Sequence, residues 1–137
     1  MKLIFIYNAD SGLLPLLKDF THKIVSPKTY PCSLCALTYD TFSESKAWKS
    51  FRQKTNTEMV FLHKDEFEAV YVSVYKYPCI LRESPNGINE VIPKQTLDEL
   101  SNVEELIQLI LSYENKIDTS KITNNNNPYI FSLSKPS

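Results

Sequence analysis

The chain begins with an uninterrupted apolar run over residues 3–7, followed by the polar turn of residues 8–12. Such a run is typical of a strand that is buried on both faces, as in parallel sheets. Residues 13–24 then place apolar side chains at helical spacing, and Asp10 or Ser11 is suited to cap that helix. A buried strand followed by an amphipathic helix predicts an α/β fold.

Composition restricts the class of protein further. The 137 residues suit one domain, and with 42% hydrophobic and 23% charged residues a packed core is expected. Net charge is -1, from 15 basic and 16 acidic residues, and no basic run stands out. A nucleic-acid partner is therefore not expected, although a protein partner remains open.

The sequence also suggests where the protein works. The first apolar run is too short to span a membrane, and no later stretch approaches that length. A cytoplasmic, soluble protein without a membrane partner is expected. Three cysteines are too few for a secreted disulfide scaffold. No cofactor is expected.

The remaining pattern predicts an insert, three more strands and two further helices. The insert covers about residues 26–55, with a loop over residues 26–42 and a helix that Ser43 caps. A buried strand over residues 58–63 and a short helix over residues 64–71 follow. Next come a strand at 77–83, a hairpin turn at residues 84–87, a return strand at 88–92, and a helix from Thr96 or Ser101 to residue 113. Residues 115–137 read as a largely mobile tail.

This order, β-α-(insert helix)-β-α-β-β-α, resembles the thioredoxin and glutaredoxin fold over about residues 1–114. The resemblance implies a three-layer domain with a mixed four-stranded sheet. In that family, the proline before the third strand is cis and lies beside the redox site, and Pro78 stands at that position. The family's cysteine motif opens the first helix, where this chain has residues 8–12 and no cysteine.

Three segments are also similar to a group of uncharacterised bacterial proteins. These are YNADSG at residues 7–12, YPCSLCALTY at residues 30–39 and FLHKDEF at residues 61–67. Some members of that group carry the label GTPase. Because this chain has no GxxxxGK[ST] phosphate loop, the resemblance implies no activity here.

The strongest candidate site is the CxxC motif formed by Cys32 and Cys35, directly after Pro31. Two thiols at this spacing can close a small disulfide or hold one metal ion, and as thiolates they are good nucleophiles. If the pair is redox-active, Cys32 is the attacking thiol and Cys35 the resolving one, since the N-terminal cysteine is usually the more exposed. The alternative is that both residues pack a loop.

Metal binding is the less favoured use of these cysteines. A zinc site needs about four ligands, and one CxxC motif supplies two. Cys79, His22 or His63 would have to supply the others, but there is no second CxxC and no HxxxH pattern. No metal is therefore predicted, and if one is bound, Cys32 and Cys35 hold it.

A second candidate site lies where the first two strands end. His63, Asp65 and Glu66 follow the second strand, and the turn with Asn8, Asp10 and Ser11 follows the first. In open α/β sheets, ligands bind in the crevice outside these carboxyl ends. His63 would act as a base or ligand that a neighbouring carboxylate orients. The alternative is an ordinary helix start, with the carboxylates at the positive end of the helix dipole.

Three functions follow from these sites. The first is a thioredoxin-like protein whose displaced CxxC acts in thiol–disulfide redox chemistry or redox sensing. The second is a non-enzymatic module that binds a metal or docks a partner. The third is a small-molecule enzyme that uses the crevice around His63. Whether the protein is an enzyme stays open at this point.

Overall fold

The structure is a computed structural model that describes residues 1–11, 32–39, 43–72 and 74–125, with side chains to residue 116. The described elements are β1 (Lys2–Tyr7), α1 (Ser33–Thr38), α2 (Lys46–Lys54), β2 (Glu58–His63), α3 (Lys64–Glu68), β3 (Cys79–Ser84), β4 (Gly87–Ile92), α4 (Lys94–Glu99) and α5 (Val103–Asn125). The helix predicted over residues 13–24, and also His22 and Pro31, lie outside the described residues.

The four strands form one mixed open sheet in the order β2-β1-β3-β4. Strand β1 runs parallel to β2 and antiparallel to β3, and β4 pairs antiparallel with β3. The predicted α/β class and the mixed four-stranded sheet are confirmed. None of the described helices is long and apolar enough to cross a membrane.

The strand register divides the sheet into two faces, because side chains alternate along each strand. Ile4 and Ile6 of β1 point to the same face as Cys79 and Leu81 of β3. Phe67 of α3 packs against this group, and all five side chains are almost inaccessible to solvent. We call this side the first face.

Aromatic side chains fill the second face. The ring of Phe5 lies 4.8 Å from that of Phe61 and 5.5 Å from that of Trp48 in α2, measured between centroids. The ring of Tyr7 also stacks near that of Phe61 and contacts the ring of Tyr39, which directly follows α1. Because Tyr39 and Trp48 both pack on this side, the segments containing α1 and α2 lie on the second face, opposite α3.

The β3–β4 hairpin was predicted from a local turn signal. Ser84 pairs with Gly87, so Pro85 and Asn86 occupy the loop between the strands. Gly87 is the first residue of β4 and has a φ of 121°. Glycine is favoured at this φ because it has no side chain. The turn predicted over residues 84–87 is therefore the one that the structure has.

Other boundaries also differ from the prediction. Helix α2 begins after Ser45, not Ser43, and the Ser45 hydroxyl accepts a hydrogen bond from the Trp48 N–H. The single helix predicted up to residue 113 is two helices, because Leu100 adopts an extended conformation between α4 and α5. Helix α5 continues to Asn125, into the predicted tail. The mobility of residues 115–137 stays a prediction.

The chain divides into two compact units, residues 1–107 and residues 108–137. The sheet and both candidate sites belong to the first unit. In the described part of the second unit, the Ser112 hydroxyl donates to the Leu109 carbonyl at 2.6 Å. The Lys116 ammonium lies 5.5 Å from the centre of the Tyr113 ring.

Candidate functional site

The two cysteines of the CxxC motif are held together at the start of α1. Their sulfur atoms are at disulfide distance, and their Cα atoms are 5.3 Å apart. Cys32 is the N-cap residue of α1, and Cys35 lies in its first turn. The prediction of a loop over residues 26–42 is therefore wrong at this point, because the motif itself begins a helix.

Backbone groups of α1 surround the sulfur of Cys32. The Cys35 N–H lies 3.3 Å from Cys32 Sγ and donates to it. The Cys32 carbonyl accepts from the Ala36 N–H at 3.1 Å. Cys32 is 2% exposed and Cys35 is 6% exposed. The expectation that Cys32 is the more exposed of the pair is thus wrong, and both sulfurs are shielded from solvent.

A cleft of about 630 Å³ opens beside Cys32. It lies between α1, the residue before α2, α4 and the start of α5. Its lining residues are Cys32, Ser33, Ala36, Leu37, Ser45, Lys94, Asp98, Leu100, Ser101, Asn102, Val103 and Glu104. Cys35 is not among them. Within the described residues, Cys32 is therefore the cysteine of the pair that borders the cleft.

A polar chain joins α1 to α4 at the wall of this cleft. The Ser33 hydroxyl donates to Asp98 Oδ1 at 2.7 Å, and the Lys94 ammonium forms an ion pair with the other oxygen of Asp98. Burial acts to raise the pKa of Asp98, but the hydrogen bonds from Lys94 and Ser33 outweigh it and leave that pKa below the ordinary 3.8. Asp98 is thus a carboxylate at neutral pH, fixed next to the residue that follows Cys32.

Cys79 does not belong to this site. It lies on the first face of the sheet, in the cluster with Ile4 and Phe67, whereas α1 lies on the second face. Its thiol is free and fully buried, and burial raises its pKa to about 12. The sheet therefore separates Cys79 from Cys32 and Cys35. Packing is the role that these surroundings support.

The described residues contain no group of three or more His, Cys, Asp and Glu side chains that could hold a metal ion. Cys79 is on the wrong face of the sheet to complete a zinc site with Cys32 and Cys35. Of the other two ligands considered from the sequence, His22 lies outside the described residues. His63 is engaged with Glu66.

The second candidate site assembles at the carboxyl ends of β1 and β2, as the parallel pairing requires. Tyr7 and His63 are register partners. The Lys64 N–H donates to the Ala9 carbonyl at 3.2 Å. Ser11 contacts Asp65 twice, because its N–H donates to Oδ1 at 2.9 Å and its hydroxyl donates to Oδ2. The two turns meet, although 54 residues separate Ser11 from Asp65.

The hydrogen bonds within this site are those of a helix start. His63 and Glu66 form a reciprocal capping box, in which Glu66 Oε1 accepts from the His63 N–H at 2.8 Å and contacts His63 Nδ1. The two contacts lower the pKa of Glu66, the backbone hydrogen bond more than the side-chain one. Both carboxylates are exposed and engaged, which favours the capping interpretation over a catalytic base.

An Asp65→Asn substitution is expected to destabilise the fold near neutral pH. Hydrogen bonds from Ser11 lower the pKa of Asp65 below its ordinary 3.8. The stabilisation is therefore complete above about 3.8 and is lost as the pH falls through the lower folded-state pKa. Urea unfolding of both proteins across this range measures the effect. Asp10→Asn, an exposed neighbour, is the control, and a difference that persists in acid would contradict the assignment.

The other predicted residues have simpler surroundings. Asp10 is exposed and Asn8 is half-buried. The helix that Asp10 or Ser11 would cap lies outside the described residues. Pro78 is buried, follows a cis peptide bond from Tyr77, and directly precedes β3. Cys79, which follows Pro78, pairs with Ile6 of β1. Pro78 therefore lies at the same edge of the sheet as the crevice.

Sequence reasoning missed the residues of α4 that face Cys32. The Lys94 and Asp98 pair at i, i+4 is a signal for a helix-surface ion pair. Nothing local to that pair indicates that Asp98 accepts a hydrogen bond from Ser33, which is 65 residues away. The start of α5 carries no feature that would have assigned it to a cleft.

Comparison with protein-family models, with curated proteins and with solved structures gives no match to this chain.

Proposed function

We propose that this chain is a thioredoxin-like redox-sensing protein in which Cys32 and Cys35 form a reversible disulfide. The observation that carries the proposal is the placement of both sulfurs at disulfide distance, with Cys32 bordering a cleft. Pairs of thiols with this spacing exchange between dithiol and disulfide forms without a large change in the backbone.

The topology supports the thioredoxin-like part of the proposal. The sheet order β2-β1-β3-β4, with one parallel and two antiparallel pairings, is the arrangement that the resemblance to glutaredoxins implies. The cis peptide bond before Pro78 stands at the position where that family has one. The cysteines themselves are displaced along the chain, so their chemistry rests on their own surroundings.

Those surroundings place a hydrogen-bond donor on the sulfur of Cys32. The Cys35 N–H that donates to Cys32 Sγ stabilises negative charge on that sulfur. The cleft places a small reagent next to Cys32.

The chemistry requires a disulfide or peroxide as the oxidant. With a small disulfide R–S–S–R, the Cys32 thiolate attacks one sulfur, forms Cys32–S–S–R and releases one thiolate. The Cys35 thiolate then attacks Cys32 Sγ, forms the intramolecular disulfide and releases the second thiolate. Two electrons pass from the protein to the reagent, and both thiols lose their protons to solvent. A dithiol reverses both steps.

Burial favours sensing over turnover. Cys32 and Cys35 are 2% and 6% exposed, so a folded protein substrate would meet little of either sulfur. A small reagent in the cleft lies beside Cys32 and needs less of the sulfur to be exposed than a folded protein does. We therefore propose that the CxxC pair is a switch that responds to small thiol reagents. A folded protein is not its principal substrate.

A redox titration tests the proposal. The protein is equilibrated with mixtures of reduced and oxidised dithiothreitol, quenched in acid, alkylated in denaturant and analysed by mass spectrometry. We expect Cys32 and Cys35 to lose their alkylation together and reversibly as the mixture becomes oxidising. Cys79 should stay alkylated throughout, which provides an internal control because its thiol is free in the structure.

Two results would overturn the proposal. One is full alkylation of both cysteines at every ratio and also with excess oxidised glutathione, a stronger oxidant, which would mean that the disulfide does not form. The other is a disulfide that no dithiol removes from the folded protein, which would make it a permanent crosslink. A Cys35→Ser variant, which cannot form the pair, gives the fully alkylated reference for Cys32.

A further inference from the structure

The charged side chains of the cleft beside Cys32 are unequal in number and sign. Of its twelve lining residues in the described structure, Lys94, Asp98 and Glu104 carry a full charge. The Lys94 ammonium is ion-paired with Asp98, so these two charges largely offset each other. One carboxylate, that of Glu104, is left over, and the cleft therefore has an excess of negative charge.

Glu104 is available to a molecule in the cleft. Its side chain is exposed, and no residue in the described part of the chain forms a hydrogen bond or an ion pair with its carboxylate. The neighbouring Glu105 differs, because its carboxylate accepts a hydrogen bond from the Ser101 N–H at 3.0 Å. Of these two adjacent acidic residues, the one that lines the cleft is therefore the one whose carboxylate is not already engaged.

The start of α5 does not make the cleft a site for anions. Helix starts carry the positive end of the helix dipole, which attracts negative groups. Here the helix supplies those groups itself, with Glu104 and Glu105 in its first turn. Asn102 Oδ1 also accepts a hydrogen bond from the Glu105 N–H at 2.9 Å, and the Glu105 carboxylate engages the Ser101 N–H. The sign of the cleft is therefore set by its carboxylates.

The rest of the lining suits a small molecule with short aliphatic arms. The cleft volume of about 630 Å³ is within the range of small-molecule sites. The aliphatic part of the lining comes from Ala36, Leu37, Leu100 and Val103. Such side chains pack against methylene groups and offer no charge to an anion. A molecule that carries a disulfide, methylene arms and positive ends is thus complementary to the cleft.

We propose that the cleft selects small disulfides whose arms end in ammonium groups, which are the disulfides of aminothiols. This inference rests on the proposed function, since it names the class of reagent that oxidises the CxxC pair. An ammonium group is attracted by Glu104, whereas an arm that ends in a carboxylate is repelled by it. The cleft thereby raises the local concentration of cationic disulfides beside Cys32.

The exchange with such a reagent follows the two steps given above. The Cys32 thiolate attacks one sulfur, a new S–S bond forms at Cys32 Sγ, and the S–S bond of the reagent breaks. The leaving aminothiolate keeps the bonding electron pair and takes a proton from solvent. Attack by Cys35 on Cys32 Sγ then closes the intramolecular disulfide and releases the second aminothiol. The protein loses two electrons, and the reagent is reduced to two aminothiols.

Reaction rates of three small disulfides with Cys32 test the proposal. The reduced Cys35→Ser variant is used, because its reaction stops at the adduct on Cys32, which mass spectrometry follows over time. The reagents are cystamine, which is a dication, the uncharged bis(2-hydroxyethyl) disulfide, and the dianion 3,3′-dithiodipropionate. Each rate is divided by the rate of the same reagent with N-acetylcysteinamide, an uncharged thiol, which removes differences between the leaving thiols.

The normalised rates should fall in the order cystamine, hydroxyethyl disulfide and dithiodipropionate. At low salt the first should exceed the last by about fivefold or more, because the excess carboxylate acts on the two reagents with opposite sign. In 1 M salt the Debye length is about 3 Å, so most of this difference should disappear.

Two substitutions should change this order in opposite directions. Glu104→Gln removes the excess carboxylate and should lower the ratio of the cystamine rate to the hydroxyethyl disulfide rate by about two- to threefold. Lys94→Gln leaves Asp98 without its offsetting charge and should raise that ratio. Glu68→Gln, which removes an exposed charge from α3 on the first face, is the control and should leave the ratio unchanged. A general disturbance of Cys32 would change all three rates in the same sense, so the ratio isolates the effect of charge.

Equal normalised rates for the three reagents at low salt would overturn the proposal. So would a faster reaction of the dianion, a Glu104→Gln variant that keeps the full preference for cystamine, or a Cys32 that forms no adduct with any reagent. The proposed function is judged separately by the redox titration, because dithiothreitol is uncharged and does not report charge selection. A reversible disulfide together with equal rates would keep the proposed function and remove only the selectivity.

Discussion

A Cys35→Ser variant treated with cystamine is expected to accumulate a stable mixed disulfide on Cys32. The Cys32 thiolate attacks one sulfur of cystamine, forms Cys32–S–S–R and releases the other half as a thiolate. In the native protein, Cys35 resolves this intermediate by attacking Cys32 Sγ. Without the Cys35 thiol the second step cannot occur, so the reaction stops at nearly one adduct per chain.

Peptide mapping by mass spectrometry under acidic, non-reducing conditions locates the adduct. Of the CxxC pair, the matched variant Cys32→Ser leaves Cys35, which does not line the cleft in the described structure and is 6% exposed. We expect it to react far more slowly. Cys79, whose pKa burial raises to about 12, should carry no adduct in the folded protein.

The outcome discriminates between the two cysteine roles. Adducts that form equally fast in both variants would mean that the cleft does not select Cys32. Faster reaction of Cys35 in the Cys32→Ser variant would reverse the assignment of attacking and resolving thiols. In either case the reversible disulfide itself, which the redox titration measures, is judged separately.

Substitution of Trp48 by alanine is expected to destabilise the protein by about 3–5 kcal/mol, the usual result of removing a buried tryptophan side chain. Trp48 is fully buried on the second face of the sheet. Its ring contacts Phe5, Phe51 and Phe61, with centroids 5.5, 5.8 and 6.4 Å away. Because domains are stable by about 5–15 kcal/mol, this loss is enough to unfold a large share of the molecules if the protein lies at the lower end.

Guanidinium unfolding, followed by circular dichroism, measures the loss. Trp48→Phe is the matched control, since it keeps an aromatic ring in the same contacts. The indole Nε1 has no hydrogen-bond partner among the described residues, so its removal costs no bond there. We expect the phenylalanine variant to retain most of the stability. A loss in Trp48→Phe as large as in Trp48→Ala would mean that the indole is held by more than its packing.

Much of the fold was predictable because the signals for its strands are local. The apolar run at the N-terminus became β1, and the run at residues 58–63 became β2 with the predicted bounds. The prediction that β2 is buried is wrong, because it lies at the edge of the sheet and its residues are half-buried or exposed. The turn signal at residues 84–87 correctly placed the hairpin. In each of these cases the residues that produce the signal also make the structure.

Helix boundaries were less predictable, because several competing caps stood within a few residues of one another. Ser43 and Ser45 are both suitable caps, and the structure has Ser45, whose hydroxyl accepts from the Trp48 N–H. Cys32 was not recognised as a helix N-cap, since cysteine is not a usual capping residue. For this reason the helix that begins at the CxxC motif was predicted as a loop.

The sequence by itself determined that Cys32 and Cys35 lie together, because a spacing of three residues in one turn brings their sulfurs to the same side. It also determined that the turns after β1 and β2 meet, because parallel strands end at the same edge of a sheet. Only the tertiary structure decided that Cys79 lies across the sheet from the CxxC motif, and that a cleft with Asp98 borders Cys32. These arrangements depend on strand register and on contacts such as that of Ser33 with Asp98, 65 residues apart. No local pattern encodes such a contact, because it results from the packing of the whole unit.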